Sequence, residues 1–324
     1  MSDPATAAPK PQGRGRAEFH GEAGGFRMDH ASAVAELLSR QGFRRFMMSR
    51  SGVGHLLLAG RLDDRLLEIV LDTGASKTFV ELNHCRSEGI ALIDTGQTGH
   101  GGKVYALGDI RLTLDGLPIR TDGVVALDMS STNERLKMRG VDPIRAVIGQ
   151  DVLRHHQAVI DYAKLALFLK AEPAEATNDT SALASLHSDQ GFRRFQMSRS
   201  QFGHLKLAGR LDDRPIDIVL DTGAGNTFLD LGYCRSEGIA VIDTGLPGEV
   251  GNVHKLGDAR LTLEGMPVRT AGIFAIDMTA TNQRLTAKGA DPIRACIGQD
   301  VLRYHQAVID YATLALFLKA EPVP

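Results

Sequence analysis

Apolar and polar residues alternate along most of the chain in short runs, broken by Gly, Asp and Pro. A period of two places successive side chains on opposite faces of a strand. GHLLLAGRL from Gly54, then Asp-Asp-Arg, then LLEIVLDTG predicts strand, tight turn, strand. VYALGDIRLTLDGLPIRTDGVVAL from Val104 alternates between turn residues and predicts a hairpin meander. AVIDYAKLALFL from Ala158 predicts two short strands around Asp161-Tyr162-Ala163-Lys164. Helical patterns are short: VAELLS at Val34, TFVELNHCRSEG from Thr78 and GQDVLRHH from Gly149. The expected class is mostly β.

The pattern is written twice. QGFRRFMMSRS at Gln41 returns as QGFRRFQMSRS at Gln190, and IGQDVLRHHQAVIDYAKLALFLKAEP at Ile148 returns, little changed, at Ile297. The offset stays constant without insertion or deletion, and about 70% of aligned positions are identical. Each copy is domain-sized. We expect a disordered N-terminal extension over 1–30, one domain over 31–173, a linker over 174–179 and a second domain over 180–324. So short a linker reaches about 20 Å when fully extended, which makes the domains neighbours. Recent duplication preserves every residue, useful or not, so chemistry and the differences between copies carry the information.

Composition narrows the functions. A net charge of −2 argues against a nucleic-acid or acidic-membrane partner. Arg44-Arg45 and Arg193-Arg194 read as solvated edges. Cys85, Cys234 and Cys296 form no Cys-x-x-Cys pair and read as free packing thiols in a reducing compartment. No apolar run approaches the roughly 18 residues that span a bilayer, and the N-terminus lacks the apolar core of a secretory signal. The expected location is cytoplasmic, and the sequon at Asn178 is read as chance.

Asp-Thr-Gly occurs at Asp72 and again at Asp94. Asp72 follows a buried strand, a setting that holds a carboxylate rigidly at a cleft. Gly74 permits a tight turn, Thr73 offers a hydroxyl to a partner loop, and Ser76 offers one to orient the carboxylate. Asp221, Thr222 and Gly223 repeat the setting. Two such carboxylates facing a water cannot both ionise comfortably, so one keeps a proton. The charged one draws a proton from water, and the other protonates a peptide carbonyl. No metal, cofactor or covalent intermediate is needed. Asp94 and Asp243 instead precede glycine-dense stretches that differ between copies, and read as Asx-type turns into a hairpin.

Hydrophobic-Asp-Thr-Gly-Ala-Ser, a glycine-rich hairpin about 25 residues later, and Ile148-Gly149-Gln150-Asp151-Val152-Leu153 before a closing Ile-Asp-Tyr strand together resemble the retropepsin family. The likeness is to the bacterial retropepsin-like aspartic proteases. It covers about Gly54–Leu169 and Gly203–Leu318. The resemblance implies two tandem retropepsin-like β-barrel domains forming a single-chain pseudo-dimer, hence a monomer. It implies an aspartic endopeptidase with Asp72 and Asp221 as catalytic aspartates. Thr73 and Thr222 would interlock the loops, with Gly74 and Gly223 as loop glycines. Flaps would form around Gly99, His100, Gly101, Gly102 and Tyr105, and around Gly248, Glu249, Gly251 and His254. An extended polypeptide substrate would lie beneath them, bound strand to strand.

The copies also differ. DTGASK becomes DTGAGN, so Gly225 lacks the hydroxyl of Ser76 and an asymmetric pair is expected unless Asn226 substitutes. His100 aligns with Glu249, Thr98 with Pro247 and Tyr105 with His254, which implies unequal sides to the cleft. His155 and His156 read as surface or helix-end residues, because no metal-binding motif accompanies them. Asp151 and Asp300 read as helix caps. No Gly-x-Ser-x-Gly points to a serine hydrolase. Two other readings stay open: a non-catalytic peptide-binding or scaffolding protein with this fold, and copies that pair between chains.

Overall fold

The computed structural model describes residues 30–99, 102–172, 180–248 and 251–320. The expected linker and nearly all of the N-terminal extension lie outside them. The fold is mostly β, with two large, similar sheets of ten strands, one per copy, and a third sheet of six strands. No helix among the described residues is long and apolar enough to cross a membrane.

In copy one, strands Leu56–Leu62 and Arg65–Leu71 pair antiparallel around Asp63 and Asp64, as the alternation predicts. Asp63 takes the left-handed conformation, φ 51°, that a tight turn needs and Asp tolerates. Leu56, Leu58 and Leu62 face inward and the intervening residues outward. On its other side Arg65–Leu71 pairs in parallel with Ala146–Ile148. The residue after it, Asp72, therefore leaves the sheet where two neighbouring strands end together.

The expected meander is not what forms. Gly102–Leu107 pairs with Leu92–Gly99 and with Val125–Leu127, while Leu112–Leu114 pairs with Leu56–Leu62 and Leu117–Pro118. Gly108 to Arg111 carries the chain across the sheet between these neighbours. The segment from Thr78 is strand over Phe79–Glu81, where it pairs with Ala146–Ile148, and helix only over Leu82–Ser87. Helices Ser130–Met138 and Thr279–Ala287 were not expected at all. Nor is the barrel closed: each sheet runs open, in copy one from Leu92–Gly99 at one edge to Leu117–Pro118 at the other.

The six-stranded sheet joins the copies. At its centre Val159–Asp161 pairs antiparallel with Val308–Asp310, with Ile160 opposite Ile309. Ala166–Lys170 and Phe43–Met47 follow on one side, Ala315–Lys319 and Phe192–Gln196 on the other. Alternation divides its side chains between two cores. Ile160, Leu167, Leu169, Ile309, Leu316 and Leu318 join a core continuous through both copies. Phe168, Phe317 and neighbours face the other way, against Val34 and Leu38 of helix His30–Arg40 and Leu183 of helix Thr180–Ser188. Each such fully buried side chain contributes roughly 1.5–3 kcal/mol, which makes the junction part of the core.

Candidate active site

The two Asp-Thr-Gly loops meet across the junction. Thr73 donates its N–H to Thr222 Oγ1 at 2.9 Å, and Thr222 donates its own to Thr73 Oγ1 at the same distance. The hydroxyls then donate onward, Thr73 to the Leu220 carbonyl (2.9 Å) and Thr222 to that of Leu71 (2.8 Å). Both threonines have no exposed surface. Every donor in this ring has an acceptor from the other copy.

Asp72 and Asp221 stand face to face above it, each partly exposed. Oδ1 of Asp72 accepts from the N–H groups of Gly74 (2.7 Å) and Ala75 (3.2 Å), and Asp221 has the same pair from Gly223 and Ala224. A Cβ on Gly74 would lie 2.6 Å from Asp221's carboxylate, and one on Gly223 would lie 2.7 Å from Asp72's. Neither glycine has positive φ. Their value is space for the opposite carboxylate, not a left-handed turn. Burial first, then the Asp221 charge and the hydrogen bond between the two acids, push the Asp72 pKa well above the usual carboxylate range. The Gly74 and Ala75 N–H groups pull the other way. Two carboxyl groups this close retain a proton between them.

Ser76 does not take the expected role. It is exposed, and among the described residues it makes no hydrogen bond to Asp72. Backbone N–H groups hold both carboxylates alike, so Gly225 removes nothing from this arrangement.

The Ile-Gly-Gln-Asp segment braces each loop. Gly149 passes so close that a Cβ would lie 2.6 Å from the Lys77 carbonyl. Gln150 donates its backbone N–H to Ala75 O (2.8 Å) and its side-chain amide to Thr73 O. Gln299 makes the matching side-chain bond to Thr222 O at 2.7 Å. Asp151 is no helix cap: its Oδ1 accepts from both the N–H (2.9 Å) and the hydroxyl (2.8 Å) of Thr78, while Gly149 caps the helix. Asp300 accepts from the Thr227 hydroxyl likewise. His156 ends its helix but is buried, its ring bridging Lys170 O and the Arg120 N–H.

Further residues approach from the opposite copy. The His55 ring lies beside the backbone of Gly223, and the His204 ring beside that of Gly74. Burial lowers both imidazole pKa values, and Asp221 acts against it. Tyr162 and Tyr311 lie fully buried near the acids, with burial pushing both phenols well above their usual range. None of this set stands out in the sequence, since its partners lie far along the chain.

The hairpins form, with the Asx turn expected of Asp94: Gly96 donates to its Oδ1 at 2.9 Å and Lys103 Nζ lies 3.0 Å from its Oδ2. Asp243 repeats the turn, with Asn252 in place of the lysine. Gly99 pairs with Gly102, Tyr105 with Asp94 and His254 with Asp243. Gly248 donates to Gly251 O at 2.8 Å. His100, Gly101 and Glu249 lie outside the described residues. Among the described residues, no hydrogen bond joins a hairpin to Asp72 or Asp221. All three cysteines are free and buried; burial pushes the Cys85 and Cys234 thiols up to about 11.

No protein-family model matches the chain, and no curated protein matches it.

Proposed function

We propose that the chain is an aspartic endopeptidase of retropepsin type, a single-chain counterpart of a two-domain pair, with Asp72 and Asp221 as its catalytic carboxylates. The observation that carries this reading is mutual: each loop glycine leaves room for the opposite aspartate, so neither loop is shaped without the other. The raised pKa of Asp72 supports a shared proton.

In this mechanism the ionised carboxylate takes a proton from a water whose oxygen adds to the scissile carbonyl carbon. The other carboxylic acid gives its proton to the carbonyl oxygen, forming a neutral diol intermediate. The proton taken from water passes to the amide nitrogen as the C–N bond breaks, and the diol returns a proton to the pair. The carboxylates exchange states within a cycle, so neither holds a fixed role. The hairpins would close over an extended polypeptide and exclude bulk water.

The test is cleavage of a broad peptide library between about pH 4 and 7 by wild type, Asp72→Asn and Asp221→Asn, since acidic conditions favour a singly protonated pair. Loss of cleavage in both variants is expected. Cleavage retained by either would sink the reading. Binding without cleavage by wild type would favour the non-catalytic alternative.

A further inference from the structure

The copies part company on one flank. In copy two, Lys206 lies with its side chain four-fifths buried, its Nζ 3.4 Å from Asp217 Oδ2 and 3.6 Å from Asp291 Oδ2. At the rim, Gln201 Oε1 comes within 4.0 Å of where a Cβ on Gly289 would stand. Copy one keeps both acids, as Glu68 and Asp142. It replaces the lysine by Leu57 and the glutamine by Gly52. A cavity of about 320 Å³ opens between them, lined by Gly52, Leu57, Glu68, Val70 and Asp142.

The lining is more polar than apolar, and sets Leu57, Val70 and Ile144 beside the acids Glu68 and Asp142. Val70 is buried and packs with Leu57 and Ile144. Among the described residues, no hydrogen bond or ion pair reaches the carboxylate of Glu68 or Asp142. Arg50, His55 and Arg145 also line it. Arg50 is engaged elsewhere, donating to Tyr162 O at 3.2 Å. Arg145 is exposed. Among the described residues no ion pair joins it to Glu68 or Asp142. His55 lines the cavity and lies beside the Asp221 loop.

We propose that this cavity is a recognition pocket for a lysine side chain of a bound polypeptide, its ammonium standing between Glu68 and Asp142 as Lys206 stands between their counterparts. The methylene stem would lie along Leu57 and Val70 while the charged head stays at the wet mouth. Lys206 is the internal precedent for an ammonium on this acid pair. The proposal rests on the hydrolase reading only for the source of the lysine.

The test titrates the isotope-labelled full chain with Nα-acetyl-lysine methylamide, and with the norleucine analogue as the uncharged control. Saturable amide shifts at Leu57, Glu68 and Asp142 are expected with the lysine compound, and with the norleucine analogue only at about fivefold weaker affinity. Glu68→Gln with Asp142→Asn should weaken binding about fivefold, the value of two exposed ion pairs. Leu57→Lys should abolish it by filling the pocket as copy two does. An equal response to norleucine, no response to lysine, or lysine binding unchanged in Leu57→Lys overturns the proposal. Shifts in a chain that cuts no peptide would leave the pocket standing and the hydrolase reading fallen. Cleavage indifferent to lysine, with no shifts, would do the reverse.

Discussion

A single methyl group placed on Gly74 tests the facing loops. Its carbon would lie 2.6 Å from Asp221 Cγ and Oδ2, where ordinary contact begins at 3.4 Å. The carboxylate must therefore recede by about 0.8 Å, or the loops must part by as much. Asp221 is held by the Gly223 N–H at 2.7 Å and the Ala224 N–H at 3.2 Å. A retreat of that size stretches the shorter bond to the limit of hydrogen bonding. Losing one bond to a charged acceptor costs about 1.5–3 kcal/mol. Parting the loops would instead lengthen the threonine bonds, which is no cheaper. We expect Gly74→Ala to destabilise the chain by about 2–3 kcal/mol, within the usual range for overpacking. Peptide cleavage should fall about 100-fold, as a misplacement near 1 Å commonly causes. Urea unfolding and steady-state cleavage measure both effects. Gly108→Ala is the control, since a Cβ there meets nothing within 4 Å and φ is not positive. If Gly74→Ala matches that control in stability and turnover, the acids do not face each other as described.

Two more outcomes follow from the same geometry. Thr73→Val keeps the shape but strands the Thr222 N–H and the Leu220 carbonyl, so it should cost about 3 kcal/mol by urea unfolding; Thr73→Ser, which keeps the hydroxyl, should cost much less. Asp72→Asn should raise the melting temperature at neutral pH and lose its advantage on acidification. The Asp72 pKa is raised in the folded chain, so the native state holds a proton that the unfolded state has released, and wild-type stability falls as pH rises through that window. Each unit of elevation corresponds to about 1.4 kcal/mol, or a few degrees. A melting advantage constant from acid to neutral pH would contradict the assignment.

Local patterns in the sequence were legible where the forces are local. Alternation marked Leu56–Leu62 and Arg65–Leu71, and the Asx turn at Asp94 needed only its neighbours. Helix Ser130–Met138 was not legible, because SSTNERLKM is polar on nearly every face and buries only Leu136. Its anchor is remote: the Asn133 amide accepts from Ile144 N–H at 2.8 Å and donates to Ile144 O at 3.0 Å. Ser76 and Asp151 misled for one shared reason. A side chain near a loop or a helix start suggests a local bond, yet backbone N–H groups hold Asp72 and the partner of Asp151 lies 73 residues away. His55 and Gln150 carry no signature for the same cause, since each acts on a loop distant in sequence.

The central claim is that Asp72 and Asp221, one from each copy, share a proton. Carboxyl carbon resonances of the two residues, followed by pH titration of the full chain, test it most directly. The account predicts two well-separated steps belonging to the pair, with one proton retained well above the usual carboxylate range. It also predicts that Asp221→Asn brings Asp72 down towards that range. Two independent titrations near the ordinary value of about 4, unchanged when the partner is substituted, would contradict it.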